Sequence, residues 1–294
     1  MEAIASTSRG PGRAGANAGI CCMLAGILVL SLSDASVKVL DGRYPALQIL
    51  FLRALIALPL VTALALALGG RPALRTRQPG LHALRGFLNV IGACAFYRGL
   101  AELPLAEITA IAYAAPVFVV LLSAAVYKER LDAWRMLAVA LGFAGVLVIV
   151  RPASGAFQAA SLYPLFTAMT YAAMMVSAKR ITPSHSFAAL MFYSVLPQVL
   201  FSALPQPWIW QPVAGADWLV MFAIGIFSSA GISLISQAFR LAPASVVAPF
   251  DYSGLLWATF FGWLVWGELP DGVSYAGATL IVAAGLIGAW RKKR

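Results

Sequence analysis

The chain has 294 residues, 61% of them hydrophobic and only 11% charged, with a net charge of +10. Soluble domains carry about 25% charged residues, so this composition excludes a soluble fold. It calls for a lipid-embedded chain.

Apolar runs long enough to cross the hydrocarbon layer, about 20 residues each as helices, are predicted at 18–40, 45–68, 80–101, 104–126, 133–150, 158–178, 186–204, 215–238, 243–266 and 273–290. Backbone amides in lipid must pair internally, which leaves helices or closed barrels. Barrel strands alternate apolar and polar, and "VLLSAAV" and "LVIV" do not. The fold class read here is an all-α membrane protein with ten transmembrane helices.

Arg9 and Arg13 precede the first run. That run is too long for a signal peptide and lacks a small-residue cleavage site, so a cytoplasmic tail over 1–17 and a retained first helix are expected. Ile27, Ser31, Asp34 and Lys38 share one face of it. Asp34 and Lys38, four apart, are positioned to neutralise each other, or one of them faces a substrate. Cys21, Cys22 and Cys94 all fall within predicted helices, so a disulfide framework is not expected.

Arg53 lies about 12 Å down the second helix and is expected to lean on Asp34 or Glu107. The third helix aligns Arg85, Asn89, Gly92 and Phe96, and the fourth Thr109, Tyr113 and Pro116. Tyr163, Thr167, Thr170, Met174 and Ser177 make a mildly polar face on the sixth. Pro197 interrupts the seventh, and Gly225, Ser229, Ser233, Ser236 and Arg240 line the eighth beside Gln237. The ninth offers Pro249, Tyr252, Ser253, Leu256 and Phe260, with Asp251 and Trp257 flanking. The fifth and tenth, with "ALGFAG" and "AAGLIG", hold only small polar groups and read as a rear scaffold.

The predicted loops give an orientation. With the N-terminus inside, sixteen basic residues lie on the cytoplasmic side, ending in "RKKR" at 291–294, against Arg43, Arg98 and Arg151 outside. This is a positive-inside pattern. Both termini are expected in the cytoplasm, and nucleic acid is not an expected partner.

The chain also repeats itself. Pro104 and Pro243, Tyr113 and Tyr252, Glu129 and Glu268, and Asp132 and Asp271 are all 139 residues apart, as are Gly86/Gly225 and Gly92/Gly231. "SVK" at 36–38 meets "SAK" at 177–179. A unit of about 140 residues holds five helices, and an odd number forces the second copy in upside down. The expected domains are five-helix repeats over 18–152 and 153–290, inverted in topology around a central cavity, followed by a basic tail over 291–294. Inverted repeats with a site at mid-membrane are the build of secondary transporters.

The stretch "LPLAEITAIAYAAPVFVVLLSAAVYKERLDAWRMLAVALGFAGVLVIV" resembles the EamA-type repeat of the drug/metabolite transporter superfamily. Its proline opening the fourth helix, the Pro116-Val117 pair, the "KE-R" loop and the "GFAGV" helix carry the resemblance. The second copy departs, with Leu255 in place of Pro116 and "GELPD" in place of "KERLD". The resemblance implies a multi-pass protein of the bacterial inner membrane. It also implies a central cavity lined by helices 1, 3, 4, 6, 8 and 9. Size and aromatic content most resemble the amino-acid exporters of the superfamily, aromatic amino-acid exporters among them.

The functional expectation is a secondary transporter that exports small amphipathic metabolites, amino acids including aromatic ones, by alternating access. A multidrug or other metabolite carrier is the alternative within the fold, and a channel or membrane receptor the alternative outside it. Candidate substrate contacts are Tyr113, Tyr252, Trp257, Tyr163, Asn89, Phe96, Thr167, Ser229 and Gln237. Asp34, Lys38 and Asp251 are the candidate coupling or pairing charges, and Pro116, Pro197 and Pro249 the candidate hinges. His82 and His185 show no metal-ligand spacing and no phosphate loop is present. Neither enzyme activity, metal, cofactor nor an ATPase subunit is expected.

Overall fold

The computed structural model describes residues 13–40, 42–70, 76, 78–128, 133–151, 158–178, 187–242 and 244–290. Pro243, Glu129, Asp132, Lys179 and His185 lie outside them. No described residue is in a strand. The helices are α1 (Arg13–Val39), α2 (Ala46–Gly69), α3 (Pro79–Glu102), α4 (Leu105–Ala112), α5 (Ala115–Tyr127), α6 (Ala133–Val150), α7 (Leu162–Ala178), α8 (Phe187–Ala203), α9 (Gln206–Ile209), α10 (Asp217–Leu241), α11 (Ala244–Val247), α12 (Ser253–Trp266) and α13 (Gly272–Trp290).

Five helical stretches are long and apolar enough to cross a membrane: Ala16–Val39, Ala46–Ala67, Leu105–Tyr127, Ala159–Ser177 and Asp217–Leu241. Met136–Val150, Phe192–Ala203 and Gly272–Ile287 are apolar but shorter. α3 is long enough, but His82, Arg85, Asn89 and Arg98 dilute its hydropathy.

The pairing of helices follows the repeat distance. α1 packs on α10, and α3 packs on α7. Moving α1 forward by about 140 residues gives α7, and moving α10 back by the same amount gives α3. α2 pairs with α8 and α6 with α13, and these pairs map onto themselves under the same shift. Individual contacts obey it too: Gly231 faces Leu30, and Gly92 faces Thr170.

Glycine permits the closest of these crossings. A Cβ at Gly231 would stand 2.9 Å from the Gly26 carbonyl oxygen and 3.0 Å from the Leu30 nitrogen, backbone atoms that cannot rotate away. The α6–α13 crossing is built alike, with a Cβ on Gly145 falling 2.7 Å from the Gly277 carbonyl. Small residues admit such backbone approach in membrane helices.

The larger apolar core gathers Leu40, Leu50, Leu52, Tyr97, Leu100, Leu103, Leu105, Ile108, Met221 and Ile224 toward the end of the bundle opposite the start of α1. Polar bonds close that far end. Lys38 Nζ donates to Glu268 Oε1 (2.9 Å), Glu268 Oε2 (2.8 Å) and the Leu103 carbonyl (2.7 Å). Three acceptors thus match the three donors of an ammonium. Arg43 and Tyr44 both donate to Asp217, at 2.9 and 2.6 Å. Gln48 exchanges two bonds with the backbone of Gln211, at 2.7 and 2.9 Å, and Arg151 pairs with Asp271.

The pair expected between Asp34 and Lys38 does not form. The lysine stem runs along the helix toward the far end, where the Glu268 carboxylate and the Leu103 carbonyl, just past α3, accept its protons. Asp34, one turn deeper, offers a single partner in a drier setting. Glu268, singled out in the sequence only as the repeat partner of Glu129, becomes the counter-charge.

Asp271 also caps α13, accepting from the Ser274 amide at 2.8 Å. The hydrogen bonds from Arg151 and Ser274 hold its carboxyl down to about 2. A depressed carboxyl stabilises the fold above its unfolded value and loses that effect as pH falls through the folded one. The melting-temperature difference between wild type and Asp271→Asn is therefore expected to be constant above about pH 5 and to shrink between about pH 4 and pH 2. A difference that stays level through that acid range would contradict the assignment.

Candidate functional site

Two helices break at mid-length, one in each half of the chain. α4 stops at Ala112 and α5 begins at Ala115, with Pro116 in its first turn. In the second half a 3-10 segment over Ala248–Tyr252, opened by Pro249, separates α11 from α12. A proline lacks the N–H that would continue the helical ladder, so both breaks follow from local sequence. Pro197 differs: it lies inside unbroken α8 and is buried against Gly86 of α3.

The breaks meet. Tyr113 and Tyr252, 139 residues apart, have ring centroids 5.3 Å apart with planes inclined at 51°. Tyr113 Oη donates to the Asp251 carbonyl at 2.8 Å, so a side chain of one break bonds the backbone of the other. Trp257 stands one turn beyond Ser253 on α12, against the cluster of Met23, Ile27, Ala238 and Val247. The Ser253 Oγ and Trp257 Nε1 are buried and make no hydrogen bond among the described residues. Two unspent donors beside a tyrosine pair suit a ligand with both apolar and polar parts.

A second polar group lies between α1, α2, α3, α8 and α10. Arg53 Nη1 donates to Tyr97 Oη at 2.6 Å, so its close partner is a phenol rather than the expected carboxylate. Asp34 is within electrostatic reach of Arg53, Tyr97 and Tyr113. A small cleft runs beside Arg53, bounded by Ala57, Gln198, Ser228, Ser229 and Ser233. Gln198 Nε2 donates to Asn89 Oδ1 at 3.0 Å across the α3–α8 contact.

The remaining candidates are spread out. Thr167 Oγ1 bonds the Gly92 and Tyr163 carbonyls, at 2.9 and 3.0 Å, and tethers α7 to α3. Ser229 Oγ bonds back to Gly225 O at 2.7 Å, although its residue borders the cleft. Phe96 and Tyr163 pack on the far-end core. Gln237 accepts from Arg240 at 3.3 Å near the opposite end. The tyrosine pair and Asp251 are thus joined directly, whereas Phe96, Tyr163 and Gln237 stand apart from them.

Tyr97 and Gln198 escaped the sequence reading. Tyr97 sits one position beyond the stripe ending at Phe96, and Gln198 adjoins Pro197, which drew attention as a bend. Neither carries a periodic signal of its own. Among the described residues, no group of His, Cys, Asp and Glu is arranged to hold a metal ion.

The profile of the EamA-like transporter family matches residues 17–151 and 158–288. Among curated proteins, the chain is 31% identical over 256 residues to the riboflavin transporter of Vibrio cholerae, covering 85% of each. It is 29% identical over 272 residues to the pseudopaline exporter CntI of Pseudomonas aeruginosa, covering 90% of this chain and 94% of the relative. It is 25% identical over 280 residues to the S-adenosylmethionine uptake transporter of Rickettsia prowazekii, covering 94% of each. A crystal structure with 22% identity superposes at a TM-score of 0.61, covering 95% of this chain and 99% of that one, and shares its fold.

Proposed function

The chain belongs to the EamA-like transporter family, and from that premise we propose that it exports small amphipathic metabolites, amino acids including aromatic ones, across the bacterial inner membrane by alternating access. The family and the named relatives are transporters of small molecules and not enzymes. The finer reading rests on one observation above all, the contact of Tyr113 with Tyr252 where two broken helices cross. Residues that repeat at 139 and then touch are what two inverted five-helix units around a shared axis would produce. Breaks on that axis supply the places where each unit bends.

Both termini are cytoplasmic in this reading, on the strength of the sixteen-to-three basic asymmetry. The far end then faces the periplasm, and the Lys38–Glu268 and Arg43–Asp217 bonds close it. The touching rings of Tyr113 and Tyr252 support cargo with an apolar side chain rather than a phosphate.

Purified protein in liposomes loaded with unlabelled phenylalanine is expected to accelerate exchange of labelled phenylalanine, as a carrier does and a pore does not. Tyr252→Ala is expected to weaken apparent affinity roughly tenfold, the worth of a lost aromatic contact. Efflux confined to cationic drugs, with amino acids inert, would overturn the substrate class.

A further inference from the structure

Asp34 and Arg53 carry opposite charges in the same interior, yet no ion pair closes between them. Arg53 meets only Tyr97, through one of its five N–H donors. Asp34 makes no hydrogen bond with any described residue. Both lie deep in the bundle but keep accessible surface, so the space they touch is internal. Charges held apart in a medium of low dielectric are costly. A membrane helix that only needed to hide them would bring them into contact.

An object with the inverse charges satisfies both. We propose that Asp34 and Arg53 form a two-pole site for an α-ammonium carboxylate, Arg53 taking the carboxylate and Asp34 the ammonium. The planar guanidinium keeps free donors for a two-pronged bond, and a small cleft opens beside it. Ser228 and Ser229 spend their protons on the Gly225 carbonyl, which leaves hydroxyl lone pairs to accept a bond from the cargo. Asp34 also lies within electrostatic reach of Tyr113. The inference rests on the amino-acid reading above and adds which residues read the head group.

The test uses three probes of one shape: phenylalanine, phenethylamine (no carboxylate) and 3-phenylpropionate (no ammonium). Binding to the purified full-length protein in detergent is followed by radioligand displacement. Wild type is expected to prefer phenylalanine roughly tenfold to a hundredfold over either analogue, as loss of a bond to a charged group implies. Asp34→Asn erases the preference over 3-phenylpropionate alone, and Arg53→Gln the preference over phenethylamine alone. Should Arg53→Gln not fold, Arg53→Lys, which keeps charge without the fork, is expected to weaken phenylalanine several-fold and leave phenethylamine unchanged. Wild-type preference retained by both variants overturns the two-pole site and leaves the amino-acid reading standing. Wild type that ignores both phenylalanine and S-adenosylmethionine overturns both. A larger molecule bearing the same head group is separated by S-adenosylmethionine: displacement by it and not by phenylalanine assigns the site to the head group of a bigger cargo.

Discussion

Gly231→Leu abolishes the folded protein. Helix propensity alone favours replacing a mid-helix glycine by about 1 kcal/mol, so any loss must come from the α1–α10 crossing. There a new side chain meets the Gly26 carbonyl at 2.9 Å and the Leu30 nitrogen at 3.0 Å. Flexible side chains can rotate to admit an added group, but two helix backbones must separate along their whole length. Overpacking ordinarily costs about 1–3 kcal/mol where neighbours give way, and here they cannot, so more than about 3 kcal/mol is expected. Fluorescence-detected size-exclusion chromatography should show aggregate in place of a monodisperse peak. Gly215→Leu, where no atom lies within 4 Å of the added Cβ, should elute as wild type. A monodisperse Gly231→Leu protein at normal yield would mean that α1 and α10 do not cross here.

Glu268→Ala comes next in size. Lys38 is 9% exposed at its side chain, and removing Glu268 leaves it with the Leu103 carbonyl and the Trp266 ring, 5.2 Å from the ammonium. Breaking a fully buried pair from one side costs about 3–5 kcal/mol. Glu268 is 29% exposed, so water relieves part of this and about 2–3 kcal/mol is expected. The combined Lys38→Met and Glu268→Ala protein should recover most of the loss, because the stranded charge is gone. Melting temperatures of the four proteins measure the coupling. If the double variant is as unstable as the sum of the singles, the pair contributes no coupling and the lysine has another partner.

Local chemistry in the chain was legible, and distant partnership was not. The apolar runs announced the helices within a few residues, because lipid permits no other backbone arrangement. Pro116 and Pro249 announced the breaks because a missing N–H acts where it stands. The recurrence of Tyr113 as Tyr252 was visible as a spacing, and the structure turns that spacing into a contact. By contrast Lys38 was assigned to Asp34, its neighbour on the helix, although its true partner is 230 residues away. Nothing within one helix tells a flexible lysine which direction to extend. The hydroxyl stripes left their hydrogen-bond partners open for a related reason. Thr167 and Ser229 look like ligand groups on a helical wheel, yet both donate to backbone carbonyls, a choice no periodicity reveals.

Apart from the Lys38 bond to the Leu103 carbonyl and the Asp271 cap on α13, the bonds described at the far end have one property in common. Lys38 with Glu268, Arg43 and Tyr44 with Asp217, Gln48 with Gln211, and Arg151 with Asp271 all tie a residue before position 152 to one after it. None of them stiffens either half internally. If the halves part there as rigid units, these ties must rupture together, since each spans the same seam. Such a seam behaves like a zip fastener with its teeth abreast: half-ajar forms are scarce, and solutes meet that side of the protein either shut or wide.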